Sequence, residues 1–285
     1  MPETIPPPAT GPNGPIRRLA AEAPPRAGAA GGGTIPLQDA AVYGPIQSRR
    51  LGSSLGINVL PVSHKVCSSN CVYCQYGWTL PSPSSERLKR APELLVEIEA
   101  AFRRHVEERT PVDCITLAGN GEPTLHPDLV ELVIGVKRLR DAYFPGVPVG
   151  ILSDATQLTR PRVREALLRL DLRCMKFDAA DEATWRRIND PLGNTDFQAM
   201  LDELRRLPDL VLQSMFIQGA YDNTDEPHLR AWIEAVGSIN PRSVQVYTID
   251  RPTAADGILA VSRDELQAIA DRLTAATGIH ADVFD

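Results

Sequence analysis

Three of the chain's five cysteines, Cys67, Cys71 and Cys74, fall within eight residues. Their C-x-x-x-C-x-x-C spacing puts three thiolates on one short loop, and soft sulfur ligands of this kind select iron–sulfur clusters or zinc. They are too crowded for an ordinary disulfide framework, and the total is odd. Three sulfurs leave one iron of a four-iron cluster without a cysteine, and a small molecule bearing an amino and a carboxylate group can chelate that iron. The competing chemistry is a zinc site, for which His64, three residues before Cys67, is a candidate fourth ligand. Spacing alone leaves both open. Cys114 and Cys174 stand singly inside the apolar runs VDCITLAG and LRCMKF and read as small buried hydrophobes.

The elements that must position this loop follow from the hydrophobic pattern. Short β-rich runs at 55–62, 114–118, 147–153, 172–177, 210–217 and 244–249 alternate with stretches of helical spacing at 92–108, 127–141, 160–170, 196–207, 226–238 and 263–276. Pro92 and Pro161 suit first helical turns, and Ser262 or Arg263 opens a stretch with Asp264 and Glu265 in the favoured acidic positions. Such alternation implies a parallel sheet with right-handed crossovers. Six units are fewer than the eight of a closed barrel, so the predicted α/β fold is an incomplete six-unit (β/α) barrel, with a flat doubly wound sheet as the fallback. It occupies residues 41–285. Residues 1–40, rich in Pro, Gly and Ala, read as a flexible tail.

Composition narrows the class of protein. With 43% hydrophobic and 23% charged residues the chain can bury a sizeable core. A formal charge of −6 gives no global reason to bind a polyanion. No stretch is long and apolar enough for a membrane span, and the opening MPETIPPPATGPNGP is unlike a secretory signal, so the expected location is cytoplasmic.

Parallel βα folds gather ligands at the carboxyl ends of their strands. The segments expected there are HKVCSSNCVYCQYG, GNGEPTLHP, SDATQ, DAADEATW, QGAYDNTDE and DRPTAADG. Lys176 and Asp178 alternate with Phe177 and so share one side of their strand, as an ion pair or as working groups and the candidate catalytic pair. Arg49 and Arg50 can grip a carboxylate of substrate or cofactor, or lie solvated on the surface. His126, Gln218, Asp222, Asn223, Asp250 and Arg251 are expected at the same rim.

The cysteine spacing, with Tyr73 just before the third cysteine, resembles the radical S-adenosylmethionine (SAM) superfamily, and Gly119-Asn120-Gly121-Glu122-Pro123 resembles that superfamily's GGE motif. The resemblance runs from Tyr43 to the C-terminus and narrows to relatives of the wyosine-type tRNA-modifying enzymes through YGPIQSRRLGSSLGIN, KFDAADEATWRRIN, MFIQGAYDNTDE and VYTIDRPT. It implies a 4Fe-4S cluster on Cys67, Cys71 and Cys74. It also implies S-adenosyl-L-methionine held through Gly119, Asn120, Gly121 and Glu122, with Ser153 and Asp154 near its ribose and Tyr73, Tyr247 and Thr248 near its adenine. Ser and Asp at strand ends also cap helices, and Tyr247 also suits a core.

The implied chemistry is reductive cleavage of SAM to a 5′-deoxyadenosyl radical, fed by an electron donor such as flavodoxin or ferredoxin. Only Cys114 and Cys174 remain for a second cluster, too few for an all-cysteine one. The acidic balance gives RNA no support, so a small-molecule or peptide substrate stands beside wyosine-like tRNA base modification. Two non-enzymatic readings, a zinc-stabilised binding protein and an electron-transfer protein, stay open from the residues alone.

Overall fold

The computed structural model describes residues 34–80 and 87–285. Of the expected tail, residues 1–33 lie outside the described residues.

Eight strands form one sheet in the order β1 (Val42–Ser48), β2 (Gly52–Ile57), β3 (Cys114–Leu117), β4 (Val149–Ser153), β5 (Leu172–Lys176), β6 (Leu210–Met215), β8 (Ser243–Tyr247) and β10 (Ala281–Phe284). Every pair is parallel except β1 with β2. Neighbours in the sheet follow chain order because each strand is returned by a helix: α1 (Ala91–Glu107), α2 (Leu129–Tyr143), α3 (Pro161–Leu168), α4 with α5 (Glu182–Asn189 and Phe197–Arg206), α6 (Glu226–Ile239) and α7 (Arg263–Thr277). The sheet curls into an open barrel whose end strands, β1 and β10, do not pair with each other. Side chains bridge that opening. Arg49, in the β1–β2 turn, meets Asp250 at 3.0 Å and donates to the Asp285 carbonyl.

Alternation along the strands sorts the two faces. Leu55 and Ile57, Ile115 and Leu117, Val149 and Ile151, Leu210 and Leu212, and Val244 and Val246 all join the main core with the helices. Phe102 of α1 is fully buried there, edge-on to Phe144 with ring centroids 5.2 Å apart. The alternate positions face the concave side and carry Ser54, Cys114, Thr116, Gly150, Cys174, Lys176, Gln213, Gln245 and Tyr247, together with the apolar Leu152, Leu172, Val211 and Met215. A closed barrel fills that space with branched apolar side chains. Here small and polar residues take part of that space and bond to one another, Ser54 to Thr116 and Gln213 to Gln245.

The six predicted strands and six predicted helices are all present, with shifted ends. β2 stops at Ile57 rather than residue 62, because the Asn58 side chain folds onto Leu60, with its Nδ2 3.0 Å from the Leu60 carbonyl, and Pro61 cannot donate to a ladder. Helix α4 was not anticipated, since DEATWRRIN carries only Trp185 and Ile188 as large apolar anchors; Asp181 caps it, accepting from Thr184 N at 2.8 Å. The edge strands β1 and β10, and a separate antiparallel pair β7 (Ile217–Gly219) and β9 (Ile258–Ala260), were also unanticipated. At α7 the expected cap is complete, Ser262 and Glu265 forming a reciprocal capping box.

Phe102→Ala is expected to cost about 3–5 kcal/mol through lost burial and an unfilled cavity. Equilibrium urea unfolding measures it; a cost below about 1 kcal/mol would contradict the packing described.

Candidate functional site

The loop carrying Cys67, Cys71 and Cys74 is clamped between two backbone segments. On one side Val66 forms a parallel bridge with Gly121: Val66 N donates to Asn120 O at 2.9 Å, and Glu122 N to Val66 O at 3.0 Å. A Cβ on Gly121, whose φ is +138°, would lie 1.7 Å from Val66 O. On the other side Asn70 N donates to Asp190 O, Val72 N to Ile188 O and Leu192 N to Ser68 O, so the end of α4 runs along the loop. Lys65 closes it from within, its Nζ 2.7 Å from Gly77 O and 3.3 Å from Cys74 Sγ.

All three cysteines are half-buried. Burial pushes the Cys71 thiol up to about 12, with Lys176 opposing, and it raises Cys67 well above the ordinary range. Asn189 Nδ2 lies 3.6 Å from Cys71 Sγ. Among the described residues no three His, Cys, Asp or Glu side chains converge on one point as single-ion ligands. His64, the candidate fourth ligand, bonds Ser63 through Nδ1 at 2.9 Å.

The Gly119–Glu122 turn is held from behind. Asn58 Oδ1 accepts from Asn120 N at 3.2 Å, and a Cβ on Gly119 would strike that side chain at 2.6 Å. Asn120, fully buried, exchanges two hydrogen bonds with the Gln38 backbone, at 2.7 and 2.8 Å, and donates to Pro61 O. Glu122 is buried and accepts from Thr124, Ser153 Oγ at 2.9 Å and Asp154 N at 2.6 Å. Burial, then the Asp154 charge, push its carboxyl up to about 8, against those hydrogen bonds. Asp154 in turn accepts from Ser68 and Ser69 of the cysteine loop at 2.9 and 2.7 Å, and from Thr156.

A third group lies under the loop. Asp178 is buried and accepts from three donors, Tyr73 OH and Asn189 Nδ2 on one oxygen and Met215 N at 2.8 Å on the other, with Lys176 Nζ 4.0 Å away as an ion-pair partner. Lys176 also donates to Tyr247 OH at 2.7 Å and lies over the Tyr73 ring. Burial alone would lower the Lys176 pKa, but Asp178 and Tyr247 outweigh it and raise it. Lys176 is therefore held as a cation. Val72, Tyr73, Ile188, Met215 and Tyr247 pack together as a second apolar cluster beneath the cysteines.

The structure thus brings Tyr73, Lys176, Asp178 and Tyr247 into one group, and Glu122, Ser153 and Asp154 into another. Thr248 is spent on the backbone, donating to Phe216 O at 2.8 Å and accepting from Val261 N. Two residues expected at the rim are structural. His126 is buried and spans Asp128 N and Lys89 O, and Asn223 ties Asp178 O, Met215 O and Ile217 N. Cys114 and Cys174 are buried in the strands, where burial lifts their thiols to about 11 and about 12. Lys65, Asn58 and Asn189 were not singled out in the sequence; nothing local marks them, since each acts across 9 to 118 positions of chain.

Residues 62–232 match the family model described as the Radical SAM superfamily. A UPF0026 protein of Helicobacter pylori is 33% identical over 230 residues, spanning 79% of this chain and 71% of that protein. A protein of Brachyspira hyodysenteriae named GTPase Obg is 33% identical over 248 residues; this chain spans 35% of it. Among solved structures, TYW1 with a lysine–pyruvate adduct bound superposes with a TM-score of 0.56 at 17% identity, covering 79% of this chain and 74% of that one.

The contacts of residues 34–40 yield a measurable consequence. A chain lacking residues 1–40 is expected to melt about 3–8 °C below one lacking only 1–33, because it strands the buried Asn120 amide. Equal midpoints by calorimetry would show that these contacts carry no stability.

Proposed function

The chain belongs to the radical SAM superfamily, and from that premise we propose that Cys67, Cys71 and Cys74 hold a 4Fe-4S cluster against which the Gly119–Glu122 turn holds S-adenosylmethionine. Membership makes the chain an enzyme. The observation that carries the finer reading is the Val66–Gly121 bridge, which fixes the cysteine loop and the glycine turn side by side. The chemistry such a group supplies when bound is one electron, which splits SAM reductively into methionine and a 5′-deoxyadenosyl radical.

The residues present fit that group. Lys65 and Asn189 direct N–H donors at the sulfurs of Cys74 and Cys71, which stabilises the thiolate form that metal ligation needs. No trio of ligands converges on one point among the described residues, as a single zinc ion requires. Gly121 lets the glycine turn lie directly against the backbone of the cysteine loop, where a Cβ would fall 1.7 Å from Val66 O.

Glu122 is the acceptor for the ligand's amino group. Ser153 and Asp154 face the ribose, exchanging their present bonds to Glu122, Ser68 and Ser69 for bonds to its hydroxyls. Tyr73 and Tyr247 wall the adenine side. Lys176, held charged by Asp178, binds and orients rather than acting as a nucleophile. Residues 41–285 act as one catalytic unit, supported by a continuous core from Ala41 to Ile279. A cytoplasmic flavodoxin or ferredoxin supplies the electron, and the substrate is a small molecule or peptide. No described helix is long and apolar enough to cross a membrane.

Anaerobic reconstitution followed by iron and sulfide analysis tests the ligand set. About four irons and four sulfides per chain are expected. Cys71→Ala should fall below about one iron, whereas Cys114→Ala and Cys174→Ala should keep about three-quarters or more. One zinc without iron, or equal loss in Cys174→Ala, would contradict the assignment.

A further inference from the structure

The concave face of the sheet carries an arginine to which the proposed cluster and its ligand give no role. Arg50, in the turn between β1 and β2, stacks its guanidinium over the Tyr247 ring, with Cζ 4.4 Å from the centroid. On the same tyrosine Lys176 Nζ donates to the hydroxyl at 2.7 Å. Two cations from distant parts of the chain thus flank one buried aromatic ring.

Arg50 is not satisfied by this arrangement. Its Nη1 is buried and has no hydrogen-bond partner. The ring meets the face of the guanidinium and leaves its N–H edge unanswered. A buried donor without an acceptor costs free energy, and proteins keep such groups mainly where something else supplies the acceptor. Arg49 differs: it is already paired with Asp250 and the Asp285 carbonyl across the barrel opening.

Elsewhere on the same face, neutral polar side chains pair with one another. Gln213 and Gln245 are buried and joined at 2.7 Å, and Ser54 and Thr116 are buried and joined at 2.8 Å. Cys174 lies close enough that Arg50 draws its thiol down against the larger effect of burial. Asp178 balances one of the two cations, Lys176, at 4.0 Å. Arg50 itself makes no ion pair among the described residues, and it presents its charge on a planar fork suited to two parallel acceptors. That matches a carboxylate; a phosphate dianion would leave a negative charge in a partly desolvated space.

We propose that Arg50, with Lys176 beside it, binds the carboxylate of the substrate inside the barrel, a small rotation of the guanidinium bringing Nη1 onto the incoming oxygen. The substrate is accordingly a carboxylic acid, or a peptide offering a carboxylate. This rests on the radical SAM reading above for what happens next, though not for the binding itself.

The test uses the full chain, anaerobically reconstituted, with propionate, its uncharged isostere propionamide, and inorganic phosphate as probes. Saturation-transfer NMR reads binding with and without saturating S-adenosylmethionine. Propionate is expected to bind at least tenfold more tightly than propionamide and phosphate, and to do so with SAM present. Arg50→Gln should weaken propionate tenfold or more, and Arg50→Lys, which keeps the charge but not the fork, should fall between, with circular dichroism showing both folded. Equal binding of propionate and propionamide, tighter binding of phosphate, or unchanged affinity in Arg50→Gln would overturn the proposal. Displacement of propionate by SAM would also overturn it, by giving Arg50 to the cofactor's own carboxylate. Arg50-dependent propionate binding in protein that assembles no cluster would sustain this site while refuting the proposed function.

Discussion

Where Val66 runs beside Gly121, two stretches of backbone from opposite ends of an α-helical crossover come so close that no side chain fits between them. Two hydrogen bonds, 2.9 and 3.0 Å long, hold that approach. Everything at the site inherits its position from this contact. It sets Cys67, the next residue, against the turn that ends in Glu122, and Glu122 then orders Ser153 and Asp154 at the end of β4. Asp154 returns the constraint to the loop through Ser68 and Ser69. The result is a closed circuit of backbone and side-chain bonds around one strand-end corner, the place where parallel βα folds gather ligands.

A second anchor holds the far side of the loop. Asp178 is a buried carboxylate, and such a group is tolerable only when its lone pairs are answered. Tyr73, Asn189 and the Met215 amide answer them, so the charge becomes a junction between the cysteine loop, the end of α4 and β6. Beneath it the apolar cluster of Val72, Tyr73, Ile188, Met215 and Tyr247 supplies non-directional support. Lys176 is drawn into the same junction, where Asp178 and Tyr247 raise its pKa against the effect of burial. Polar lining and rigid rim are thus consequences of one network.

Much of this was legible in the chain because periodicity reports burial directly. Six parallel strands and their crossovers each bury one face against helices, so their apolar alternation survives in the sequence. GNGEP was legible for a different reason, since only glycine readily holds a φ of +138°, and the cysteine triplet stood out by residue type, its metal ligation being the function proposed for it. Helix α4 was hidden because eight residues with two large apolar anchors give too little pattern, yet its last turn delivers Asn189 and half of the loop's clamp. The strands β1 and β10 were hidden because edge strands are only half covered. His126 and Asn223 illustrate the reverse error: a polar residue after a strand looks available for ligand, but both are consumed by buried backbone groups that need partners. Their commitment depends on long-range packing, which no local pattern encodes.

The central claim is that the contact between the cysteine loop and the glycine turn creates a site for reductive cleavage of S-adenosylmethionine. The most direct measurement is chromatographic: reconstituted protein is mixed anaerobically with dithionite and S-adenosylmethionine, and the nucleoside products are resolved. Cleavage at this site yields 5′-deoxyadenosine and methionine in equal amounts, dependent on dithionite. Folded, cluster-loaded protein that leaves S-adenosylmethionine intact would contradict it.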